Sequence, residues 1–113
     1  RILALENHLK QVPDDARART HLAGDYVASN RTEDAVREMQ FAVALRPNDA
    51  HVLYNVACVY CGMNKRSEAM AALKKAWEAG LRDADWARRD PDLALLHGDP
   101  EFERLYPEST GGA

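Results

Sequence analysis

Residues 13–46, PDDARARTHLAGDYVASNRTEDAVREMQFAVALR, and residues 47–80, PNDAHVLYNVACVYCGMNKRSEAMAALKKAWEAG, carry one pattern twice. Shifting the chain on itself by 34 residues brings Pro13-Asp14-Asp15-Ala16 onto Pro47-Asn48-Asp49-Ala50. The same shift superimposes Ala23 on Ala57, Tyr26 on Tyr60, Asn30 on Asn64, Ala35 on Ala69 and Ala42 on Ala76. A fixed period of this length signals stacked supersecondary units, each too small to bury its own apolar face without a neighbour.

Inside each unit the apolar residues recur at helical spacing: Leu22, Ala23 and Tyr26, then Ala35, Met39 and Ala42. That spacing gives each segment one apolar face, so two amphipathic helices per unit are expected. The alanines are small where helices approach closely, and Tyr26, Met39, Tyr60 and Leu73 supply the bulk between them. Ser29-Asn30 and Met63-Asn64 have the chemistry of turns within a unit. Pro47-Asn48-Asp49 separates the units and offers an aspartate to cap the next helix.

The pattern resembles the tetratricopeptide repeat (TPR) family. The resemblance rests on Leu22-Ala23, Tyr26, Ala35, Met39 and Pro47 in the first copy, and on Leu53, Val56-Ala57, Tyr60, Ala69 and Leu73 in the second. Arg19 stands where the family has Trp, and Leu81 where a second Pro would fall. The resemblance implies an all-α fold, an α-α superhelix of antiparallel helix pairs with repeats over 16–49 and 50–82. Residues 1–12, with Leu5 and Leu9 ahead of Pro13, are expected to form the second helix of a preceding partial repeat, which suggests a longer array upstream.

After Gly80 the register changes. Asp90-Pro91 and Asp99-Pro100 are helix starts, because Asp caps the free N–H groups and Pro at the first helical position gives up a donor that has no partner. Short capping helices are therefore expected over 83–106, with Trp86, Leu93, Leu96, Phe102 and Leu105 turned inward, and a flexible tail over 107–113. This ending resembles those that close TPR arrays in bacterial multidomain signalling proteins, kinases and cyclases among them.

The 113 residues carry a formal charge of -3, which gives no basic field for nucleic acid or anionic lipid. Apolar runs such as 56–60 are far shorter than the ~20 residues a membrane span needs. Cys58 and Cys61 lie in one apolar segment and cannot staple distant parts of the chain, which fits a reducing cytoplasm. Cys58-Val59-Tyr60-Cys61 is expected to fill space and not to bind metal or react, since no second cysteine pair exists and no strand precedes it. No cofactor, no metal and no catalytic residues are expected.

The candidate site comes from helical periodicity on the first helix of each unit, which in a TPR superhelix lines the concave face. Arg17, Thr20, His21 and Gly24 share that face in one unit; His51, Tyr54, Asn55, Cys58 and Cys61 share it in the next. The groove residues are thus Arg17, Thr20, His21, His51, Tyr54, Asn55 and Cys58, a mildly basic set suited to an acidic peptide. The family's carboxylate clamp for chaperone tails is disfavoured, because Thr20 and Gly24 occupy its Lys and Asn places and only Asn55 matches. The expected function is a scaffold holding a protein or peptide, with self-association through the first helix, whose outer apolar side, including Ile2, Leu5 and Leu9, is expected to be uncovered. The alternative is a regulatory C-terminal part of a signalling enzyme, kinase- or cyclase-like, whose catalytic domain lies upstream.

Overall fold

Aspartates set the starts of the first helix of each repeat unit and of the three C-terminal segments. The computed structural model describes residues 1–108, so the expectation for the tail, Gly111 and Gly112 included, falls largely outside the described residues. Asp15 accepts from the Ala18 amide and opens α2, Ala16–Ala28. Asp49 accepts from the His51 and Val52 amides at 2.9 and 3.1 Å and opens α4, Ala50–Gly62. Before them comes α1, Ile2–Gln11; between them α3, Thr32–Leu45; and after them α5, Arg66–Glu78.

The ends of α2 and α4 are set by asparagines. Asn30 and Asn64 both sit at φ 61°, the left-handed conformation that ends a helix and that asparagine tolerates better than other residues with a side chain. The next amide in each turn reaches back in the same way, Arg31 N–H to Tyr26 O at 2.7 Å and Lys65 N–H to Tyr60 O at 2.9 Å. Turns this short fold α3 back onto α2 and α5 back onto α4, and α4 also lies along α2. The described residues are helical and irregular only, so the all-α class is observed.

The core runs through these helices. Ala23, Ala35, Ala42, Ala57, Ala69 and Ala76 are fully buried, with Met39 and Leu73 between them. Arg19 occupies a position where a large apolar group is expected, and it is buried by being satisfied. Its guanidinium donates twice to Pro13 O at 2.9 and 2.7 Å, pairs with Glu38 at 2.8 Å, and lies 3.8 Å over the Phe41 ring. A planar cation with both edges bonded and one face stacked can replace an aromatic ring in such a slot.

The C-terminal segment forms α6, Ala84–Arg89, then a 3₁₀ helix, Pro91–Leu96, then α7, Pro100–Leu105. Asp83, Asp90 and Asp99 cap the three starts. The 3₁₀ helix rests mainly on α4. Leu93, Leu96, Phe102 and Tyr106 are buried, and the Tyr106 hydroxyl donates to Leu81 O at 3.0 Å.

Two sequence expectations need correction here. Trp86 does not turn inward with the cap: it is 50% exposed, and its neighbour Ala87 takes the buried position. A six-residue helix offers one narrow apolar stripe, and the small residue fits the close approach. Ile2, Leu5 and Leu9 do not form a bare outer face on α1, since Leu9 is buried and the other two pack partly on the core. Leu3, at 68% exposure, and Val12, which follows the last residue of α1, are the exposed large apolar residues there.

Candidate functional site

A groove of about 550 Å³ crosses α2 and α4 and is closed at one end by the cap. Volumes of this order suit a ligand of a few residues' bulk. Its floor is a cross-helix clasp. The Thr20 hydroxyl donates to Arg17 O at 2.6 Å and accepts from Asn55 Nδ2 at 3.1 Å, which ties α2 to α4 side chain to side chain. Thr20 is only 2% exposed, so its polar group is spent on the protein itself.

The expected residues divide into two groups. Thr20, His21, Tyr54, Asn55 and Cys58 line the groove together, with Gly24 between them. Arg17 and His51 do not line it. They lie near the helix starts, where Arg17 Nη2 stands 3.4 Å from His51 Nδ1 and 3.7 Å from Asp49, so its charge is drawn to the capping carboxylate. Helical periodicity places residues on a face but does not say how far along that face the concavity extends.

Tyr54 links the groove to the cap. It is 8% exposed, and its hydroxyl donates to Asp90 Oδ2 at 2.6 Å; Asp90 is itself 4% exposed and also accepts from the Asp92 amide. Burial, then the Asp90 hydrogen bond, pushes the Tyr54 phenol far above its ordinary range. A short bond to a buried carboxylate is the strong kind, and breaking it leaves a charged acceptor short of a donor.

The cysteines are free. Burial, and after it the nearby charges of Asp90 and Asp92, pushes the Cys58 thiol well above its usual range, and burial takes Cys61 up to about 11. Both are thiols at neutral pH, the opposite of the low-pKa state that a reactive CxxC pair requires. The sulfur of Cys58 and the carboxylates of Asp90 and Asp92 lie within 4.8 Å of one another. Asp90, however, is already committed to the Tyr54 hydroxyl and to the 3₁₀ helix start.

Sequence reasoning missed the residues that close the groove. Trp86, Asp90 and Asp92 come from the cap, and Arg1 and Asp25 form a 2.7 Å ion pair that also lines the groove. The acidic-peptide expectation rested on an inner face with no acid among its positions. Folding adds three aspartates to that face. No signal in the repeat could have found the cap residues, because they belong to neither copy of the 34-residue pattern.

A second cleft, about 470 Å³ and mainly apolar, opens between α3 and α5, with Leu53, Val56 and Tyr60 of α4 beneath it. It carries few polar groups with which to fix a ligand's orientation. Among the described residues no helix is long and apolar enough to cross a membrane. The chain matches no family model, and no curated protein matches it.

Proposed function

We propose that this chain is a TPR-like helical superhelix acting as a protein-interaction scaffold, which takes an extended peptide or a partner helix in the groove across α2 and α4. The observation that carries the reading is the clasp between Thr20 and Asn55, 3.1 Å across the groove floor. It fixes the spacing of the two lining helices before any partner arrives, so the ordering cost falls mainly on the ligand. The matched turns at Asn30 and Asn64 and the matched caps at Asp15 and Asp49 support the repeat assignment. The reading requires no catalytic step, and its unpaired thiols suit a reducing compartment.

Gly24 supplies the test. A Cβ built there meets nothing within 4 Å, so a side chain at this position would project into the groove and leave the core alone. Gly24→Leu should keep or slightly raise the melting temperature, since leucine is favoured over glycine inside a helix by up to about 1 kcal/mol. Peptides selected from a randomised displayed library on the wild-type chain should lose at least about tenfold in affinity for this variant, roughly 1.4 kcal/mol. Selected peptides that bind wild type and Gly24→Leu equally would place recognition elsewhere.

A further inference from the structure

We propose, resting on the groove reading above, that the cap end of the groove is a subsite for a cationic side chain, so that the partner is a segment carrying arginine or lysine. Three cap residues build this end. Trp86 offers a half-bare indole, Asp92 an exposed carboxylate, and Asp90 a buried carboxylate whose oxygen lies within 4.8 Å of it. Among the described residues the Asp92 carboxylate has no hydrogen-bond or ion-pair partner, whereas Asp25, the third acid of the groove, is already matched by Arg1 at 2.7 Å. Counted over Arg and Asp side chains, one arginine against three aspartates leaves the lining at -2, and the unmatched charge is concentrated at the cap.

An aromatic face beside carboxylates is the arrangement that receives an ammonium or guanidinium group: the ring attracts the cation through its quadrupole and the carboxylate through its charge. An acidic side chain entering there would lose water against two like charges and gain nothing. The negative character is felt inside the protein as well: burial is the main reason the neighbouring Cys58 thiol is pushed up, and the charges of Asp90 and Asp92 add to it. Contact at this range is closer than the ~8 Å screening length at physiological salt, so the attraction survives there. Trp86 and Asp92 are also both exposed, so this end of the groove can change without disturbing the core.

The test uses the whole chain and a randomised twelve-residue displayed library, with Gly24→Leu as the groove-blocked control. Peptides that bind wild type and are blocked by Gly24→Leu should be enriched in arginine or lysine. Asp92→Asn and Trp86→Ala should each weaken the best of them by about fivefold or more, with melting temperatures shifted by less than about 3 °C, and Trp86→Phe should restore most of the loss. In amide and indole spectra the bound peptide should shift the Trp86 side chain together with the Asp92 and Cys58 amides. Groove-blocked peptides that are neutral or acidic, or that ignore Asp92→Asn and Trp86→Ala, would overturn the cationic subsite and leave the scaffold reading standing. If no selected peptide is sensitive to Gly24→Leu, both fail.

Discussion

Tyr54 has the most consequential side chain in the groove, because one hydroxyl joins the inner helix to the cap. Tyr54→Phe removes the donor and leaves the nearly inaccessible Asp90 carboxylate with one fewer partner. Loss of a hydrogen bond to a buried charged acceptor costs about 1.5 to 3 kcal/mol. Tyr106→Phe removes a bond to a neutral carbonyl, Leu81 O, and should cost less, about 0.5 to 1.5 kcal/mol. Urea midpoints of the two variants test the order; equal losses would mean that the Asp90 bond is not special. The thiols give a second check at this scale. With Cys61 held at about 11 and Cys58 higher still, native-state reaction with a disulfide reagent at pH 7.5 should run at least about a hundredfold slower than for free cysteine, and unfolding in urea should abolish the difference. A fast native phase would show that at least one sulfur is accessible as thiolate.

Helix ends carry the pH dependence at the scale of elements. Asp15, Asp49 and Asp99 cap α2, α4 and α7, and each carboxyl is held below its ordinary 3.8. For Asp15 the largest cause is the His8 hydrogen bond; for Asp49 and Asp99 it is a backbone N–H at the helix start, from Val52 and Glu101. A depressed folded-state value means that the unfolded chain binds protons first as pH falls. The stabilisation is therefore fully present above about pH 4 to 5 and is lost as pH drops through the folded values. Thermal melts from pH 7 down to pH 2 should fall steeply only below about pH 4. Asp49→Ala should cost about 1 kcal/mol at pH 7 and should flatten part of that acid slope. An unchanged slope would mean that other carboxylates govern acid unfolding.

The molecule is elongated, about 50 × 26 × 21 Å, and its last helix pair would have a bare side without the cap. Leu93, Leu96, Phe102 and Tyr106 cover that side. Burial at ~1.5 to 3 kcal/mol for each such side chain is comparable to the ~5 to 15 kcal/mol that separates folded from unfolded domains. Deleting everything after Arg82 should therefore lower the melting temperature by more than about 10 °C and promote aggregation. Trp86→Ala should shift it by less than about 3 °C, because the indole is half in water. If the truncated chain melts like the full one, the segment serves recognition alone. The reverse pattern, a large loss from Trp86→Ala, would return this residue to the core.

What the sequence by itself determined is local. The 34-residue period placed the alanines, and they are buried; Asp49, Asp90 and Asp99 announced helix starts, and all three cap them; Asn30 and Asn64 announced turns, and both take the left-handed conformation. These properties are legible because capping, turn formation and amphipathic spacing act within a few residues along the chain. It also suggested Arg17, Thr20, His21, His51, Tyr54, Asn55 and Cys58 as one face; all but Arg17 and His51 line one groove. Only the tertiary structure decided the charge of that groove and which way Trp86 turns. Asp90 and Tyr54 are 36 residues apart and belong to different patterns, so their bond exists only because the 3₁₀ helix settles on α4. The direction in which a short capping segment lies is set by how a few side chains fill the space above the last helix pair, and spacing along the sequence does not encode that choice.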